Sequence, residues 1–149
     1  MTSLEYDKIY SSFLGEITDY SFVNKTEVEA REVMQEKLHT VLAIPYVKRI
    51  FAVARLNDNT SEFVYELKHS TDENDDDFVC MLLGQWMSYQ WTKDKVKSVE
   101  NTQQFLGTKE QKFYSQANHL DELLKLKEDT YAEARRLIAE YGYIARSHK

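Results

Sequence analysis

Apolar side chains at Tyr6, Ile9, Tyr10, Phe13 and Ile17 recur at the i, i+3, i+4, i+7 and i+11 positions of one helical face. This predicts a helix over about Ser3 to Ile17. Gly15 marks its end, and Thr18, Asp19 and Tyr20 begin the turn that follows. Thr26 followed by Glu29 has capping-box spacing: the hydroxyl accepts from the N3 amide and the carboxylate reaches back to the cap. The helix it opens is expected to run to about Ala43 and to bury Ala30, Met34, Leu38, Val41 and Leu42. Pro45 stops it, because Ile44 before a proline is pushed out of the helical region.

Further along, Phe51, Val53 and Arg55 alternate on one side, and Phe63, Tyr65 and Leu67 on another, around the polar run Asn57 to Ser61. That pattern predicts a small β-hairpin near residues 49–67. The acidic run Asp72 to Asp77 stands directly before Phe78, Val79, Cys80, Met81, Leu82 and Leu83. Negative charge favours a helix start there through the macrodipole. The helix expected to follow, to about Trp91 or Thr92, is apolar nearly all round and so reads as the central, most buried one.

Lys93 to Lys112 is polar, poorly periodic and interrupted by Gly107, and reads as a long connection with a turn of helix around Glu100 to Phe105. The last helix is expected to begin near Asn118 or His119 and to pass Tyr141. Leu120, Leu124, Tyr131, Ala134, Ile138 and Tyr141 form its stripe, Lys127 is the polar gap, and Leu123 and Leu137 broaden it. The expected fold is mainly α: a bundle of about four helices with a small hairpin. It forms one domain over 1–149 whose end, about 141–149, serves as an extended docking tail.

Composition supports that class. Four Gly and one Pro are too few for an all-β sandwich, which needs frequent turns. A chain of 149 residues buries enough surface to fold without a disulfide or metal. Nineteen Lys and Arg against 25 Asp and Glu give a net charge of −6. Tight non-specific nucleic-acid binding needs many cations on phosphates, so it is excluded. The single cysteine, Cys80, forms no internal disulfide, which fits a reducing cytosol. There is no apolar stretch of roughly 18 residues and no signal-peptide layout at the N-terminus, so no membrane partner is expected.

Searching for chemistry mostly removes options. Asp72, Asn74 and Asp76 begin like a calcium loop, but Asp77 stands where glycine is needed and Leu83 where the bidentate Glu belongs. His39, His69, His119 and His148 have no partner at ligand spacing, and no Cys-x-x-Cys occurs. Neither a nucleophile elbow nor a Gly-rich phosphate loop is present. Cys80, inside an apolar helix, reads as a packed small hydrophobe. No cofactor, metal or catalytic residue is expected, and the chain does not read as an enzyme. Aromatic content is the unusual feature: Phe105, Phe113, Tyr114, Tyr141 and Tyr143 lie beside the long connection and at the C-terminus. They either fold back on the core or form a subunit contact, where tyrosine is enriched.

Three stretches resemble one family. They are Ile9 to Tyr20; Gln104-Phe105-Leu106-Gly107 with Phe113 to Leu120; and Leu137-Ile138 with Tyr141-Gly142-Tyr143. Met87, Trp91 and Asn101 add a weaker match in spacing. The chain resembles the head-to-tail connector adaptors (head completion or neck proteins) of long-tailed bacteriophages infecting Gram-positive bacteria. It departs from their pattern at Gln90 and Asp94, where a Glu and a Pro are common, and from Tyr46 to Asp77.

The resemblance implies a homo-dodecameric ring in the virion neck, assembled in the host cytoplasm, with the portal protein and other neck or tail-completion proteins as partners. Genomic DNA would pass through such a ring without specific binding, which suits a subunit of net charge −6. On this reading Tyr141, Tyr143, Ile144 and Arg146 contact the portal. Phe105, Phe113 and Tyr114 contact a neighbour or a downstream protein. The alternative is a small acidic intracellular interaction or inhibitor module that engages a basic protein through Asp72 to Asp77.

Overall fold

The computed structural model describes residues 2–17, 26–69, 75–106 and 110–147, with side chains at 2–17, 26–69, 75–98 and 120–142. Its elements are β1 (Thr2–Glu5), α1 (Tyr6–Glu16), α2 (Glu27–Ala43), α3 (Pro45–Lys48), β2 (Phe51–Asn57), β3 (Glu62–Leu67), α4 (Asp75–Leu106) and α5 (Glu110–Ser147). Helix dominates, at 74%, beside one small antiparallel sheet. The mainly helical class with a hairpin is therefore correct, and a third strand is added to it.

That strand corrects the first expected helix. Residues Thr2–Glu5 pair antiparallel with β3, Leu4 opposite Phe63, giving the sheet order β1-β3-β2. Leu4 is driven inward and its backbone finds partners on β3, so the helix begins only at Tyr6, whose amide donates to the Ser61 carbonyl at 2.9 Å. From there α1 buries Tyr6, Ile9, Tyr10 and Phe13 as its periodicity requires. Helix α2 opens on the expected capping box, with the Glu29 amide donating to Thr26 Oγ1 at 3.2 Å. It stops at Ala43, and Pro45 then serves as the first residue of α3, where its missing N–H costs nothing.

The hairpin has the expected strands but a different facing on β2. An irregularity between Phe51 and Val53 shifts the register, so Phe51, Ala54 and Leu56 line the core and Arg55 is exposed. A bulge of this kind lets Leu56 rather than Arg55 face inward. Phe63, Tyr65 and Leu67 on β3 point inward as expected. Phe51 meets the Phe63 and Tyr65 rings edge-on, at 5.5 and 6.1 Å.

The polar segment after Trp91 is helix rather than a long connection. Helix α4 continues unbroken to Leu106, and α5 begins at Glu110 rather than near Asn118. Lys, Glu and Gln are good helix formers. The segment needs only a narrow buried stripe, which Thr92 and Val96 supply, and Asp94 ion-pairs with Lys37 of α2. Helices α4 and α5 run antiparallel: Phe78 stacks on Tyr141 at 5.5 Å, and farther along α4 Trp86 meets Tyr131 at 6.0 Å. Helix α4 also packs against α1 and α2 and is the centre of the core, with Val79, Leu82, Leu83 and Met87 fully buried. Among the described residues no helix is long and apolar enough to cross a membrane.

Candidate interaction surface

The residues expected to touch the portal separate in the structure. Tyr141 is part of the core: 5% exposed, stacked on Phe78, its hydroxyl bonded to both backbone groups of His69. It therefore offers no outward contact. Burial also pushes its phenol pKa up. The expected extended tail is helical as far as Ser147. Tyr143, Ile144 and Arg146 fall on that helical end, while Phe105 falls on α4 and Phe113 and Tyr114 on α5. The side chains of these six lie outside the described residues.

A different set of aromatics converges where α3, α4 and α5 meet. The residues come in pairs at helical spacing: Tyr46 of α3 and Arg49 at its C-cap, Trp86 and Tyr89 of α4, Tyr131 and Arg135 of α5. Trp86 forms the floor, 3% exposed, and is ringed by Tyr46 at 6.3 Å, Tyr89 at 6.0 Å and Tyr131 at 6.0 Å. Tyr46 and Tyr89 are half-buried, and Tyr131 is 40% exposed. Two exposed guanidinium groups share the Tyr46 ring, Arg49 at 5.2 Å and Arg135 at 5.4 Å, and Arg135 also lies 5.6 Å from the Tyr131 ring centre. Cation–π attraction of this kind contributes about 0.5–1 kcal/mol at exposed sites.

One buried donor of this surface lacks an acceptor. Trp86 Nε1 is buried without a hydrogen-bond partner, and an unsatisfied buried donor costs about 1–3 kcal/mol. Among the described residues neither Arg49 nor Arg135 is paired with a carboxylate. Arg31, by contrast, is paired with Asp7 and Glu27, and Arg136 with Glu133 and Glu140. A hydrogen bond with Tyr46 raises the pKa of Arg135 further, so its charge is permanent. Burial, with the neighbouring Tyr131, raises that of Tyr89, which remains a neutral phenol at physiological pH. The surface therefore combines apolar aromatic area with fixed positive charge and one unsatisfied indole donor, the composition of protein-contact hot spots.

A second polar cluster ties the hairpin loop to α1 and α2. Tyr6 Oη donates to Asp58 Oδ1 at 2.7 Å, and His39 Nε2 lies 3.0 and 2.9 Å from the two Asp58 oxygens. The Tyr6 bond, aided by His39, holds the Asp58 carboxyl below its ordinary pKa, while burial pushes Tyr6 up and Tyr10 up to about 12. Beside it an open hollow of about 600 Å³ is lined by Arg55, Leu56, Asn57, Asp58, Asn59 and Val64. Both carboxylate oxygens are already engaged, and no Ser, Thr or Cys nucleophile lines the hollow. The cluster acts as a structural tie. Cys80 is similarly quiet: burial, then Asp76 and Asp77, push its thiol up to about 11. Among the described residues no three His, Cys, Asp or Glu side chains are grouped to hold a metal ion.

Compared with protein-family models, curated proteins and solved structures, the chain matches none. The functional reading accordingly rests on its own residues. Sequence patterning missed the α3/α4/α5 surface because aromatics at helical spacing read as core. The available signal was an arginine three or four positions after a tyrosine on two separate segments, Tyr46 to Arg49 and Tyr131 to Arg135.

Proposed function

We propose that the protein is a structural adaptor of a bacteriophage neck, a ring subunit that docks on the portal and joins capsid to tail around a DNA channel. The observation that carries this reading is the aromatic–arginine surface of α3, α4 and α5, built for protein contact and lacking a nucleophile or metal-ligand group among its six residues. The resemblance in three stretches supplies the neck context. Helix α5 continues past the buried Tyr141 to Ser147, which supports giving portal contact to Tyr143, Ile144 and Arg146 on its last turns. Phe105, Phe113 and Tyr114, near the junction of α4 and α5, serve neighbour or downstream contact in the ring. The acidic-inhibitor alternative has less support, because Asp76 of the acidic run is already engaged by the Tyr65 hydroxyl.

The test is to mix the full chain with portal rings from the same genome and image the mixture by negative stain. Added density on one face of the portal is expected, and removal of Tyr143 to Lys149 is expected to abolish it. Binding that survives this truncation overturns the assignment of the helix end. A chain missing from purified virions overturns the adaptor reading itself.

A further inference from the structure

We infer that the α3/α4/α5 surface is a receptor for a carboxylate-bearing segment of another protein, with Arg49 and Arg135 clamping an Asp or Glu side chain and the Tyr46, Tyr89 and Tyr131 rings taking the apolar residue beside it. This rests on the adaptor reading for the partner's place in an assembly, and on the site's own chemistry for the rest. Arg49 and Arg135 each lie over the Tyr46 ring, 5.2 and 5.4 Å from its centre, which concentrates positive charge at one ring and favours an anion beside it. In a chain with 25 acidic against 19 basic residues, Arg136 finds Glu133 and Glu140 on its own helix, and Arg31 finds Asp7 and Glu27. Arg49 and Arg135 instead lie on rings and are exposed. Arginine matches a carboxylate with a planar fork and still stacks on an aromatic face, so one residue serves both halves of the contact.

The buried indole points to the same class of partner independently. Trp86 is 3% exposed, its Nε1–H has no acceptor, and its ring lies 6.0 Å from that of the exposed Tyr131. A segment that brings oxygen acceptors to this surface supplies what the indole lacks, whereas an apolar or cationic segment does not. Nucleic acid is a poor occupant, because two arginines on a protein of net charge −6 neutralise few phosphates.

The experiment uses the full chain on an array of short peptides that carry Asp or Glu beside Tyr or Leu, each with its Asn or Gln twin. Carboxylate peptides are expected to be retained over their amide twins. Arg49→Gln and Arg135→Gln are each expected to weaken that retention about tenfold. Arg136→Gln, one residue away but already paired on its own helix, is expected to leave it unchanged. Circular dichroism confirms that the three variants, all at exposed positions, stay folded.

Equal retention of amide twins overturns the inference, as does an equal loss with Arg136→Gln. Preference for a single-stranded oligonucleotide overturns it too, and so does arginine-dependent self-association in place of peptide binding, which would give the surface to a second copy. Carboxylate binding that persists in a chain absent from virions leaves the inference standing and removes only the neck context.

Discussion

The Tyr141 hydroxyl donates to the His69 carbonyl oxygen and accepts from the His69 amide, each at 2.9 Å. One phenol near the end of α5 thus satisfies both backbone groups of a residue just past β3, joining the last helix to the sheet. Tyr141→Phe keeps the ring stacked on Phe78 and removes both bonds. The expected loss is about 1–2 kcal/mol, seen as a fall of roughly 2–8 °C in Tm by thermal circular dichroism. An unchanged Tm would mean that water replaces the hydroxyl at no cost.

Gly84 sets how closely α1 approaches α4. A Cβ there would stand 2.9 Å from the Phe13 backbone nitrogen and 2.6 Å from Ser12 Oγ. The serine hydroxyl can rotate away, but Ser12 Cβ, also at 2.9 Å, and the backbone of α1 cannot. Gly84→Ala is expected to destabilise the fold by about 1–3 kcal/mol. Gly142→Ala, with nothing within 4 Å of the new methyl, is expected to be neutral or stabilising by up to about 1 kcal/mol. Urea denaturation of the two variants separates close packing from helix propensity.

Acid should loosen the tie between the hairpin loop and the first two helices. Asp58 lies below its ordinary 3.8 because Tyr6, and after it His39, hydrogen-bond the carboxylate. The unfolded carboxyl therefore takes up a proton at higher pH than the folded one. The stabilisation is fully present above the unfolded value and is lost as pH falls through the lower, folded value. Tm is expected to drop as pH is taken below about 4, and Asp58→Asn should flatten that part of the profile. A profile identical to wild type would show that other carboxylates govern acid unfolding.

Cys80 is half-buried, with its thiol pushed up to about 11. Near pH 8 the native protein should alkylate roughly a hundredfold more slowly than in denaturant, where the thiol regains its ordinary acidity. Timed iodoacetamide labelling read by mass spectrometry checks this, and equal rates would place the sulfur in open solvent.

Local signals carried well from sequence to structure, and distant ones did not. The Thr26–Glu29 box and the face of Tyr6, Ile9 and Phe13 are set by neighbours three to seven positions away, and both are formed as expected. Strand β1 was hidden because Leu4 becomes a strand residue only through Phe63, far along the chain. Alternation places Arg55 on the inner face because it does not reveal the irregularity beside Val53. Polarity makes Lys93 to Lys112 read as a connection with a turn of helix around Glu100 to Phe105, whereas helix propensity carries α4 to Leu106 and starts α5 at Glu110. Nothing local joins Arg49 to Arg135. They share a surface only because α3 and α5 both meet α4 at Trp86.

Among the described residues, Ala134, Leu137, Ile138 and Tyr141 complete a core whose other apolar members stand at or before Trp91 in sequence, apart from Val96. During synthesis, everything up to β3 and the buried side of α4 emerges from the ribosome before the segment that covers it. Phe78 is made long before Tyr141 can stack on it, so a chain halted short of Ala134 presents a greasy flank to chaperones. The native state is reached only after most of the polypeptide has been translated, and stop codons ahead of Ala134 should yield aggregates rather than shortened working subunits.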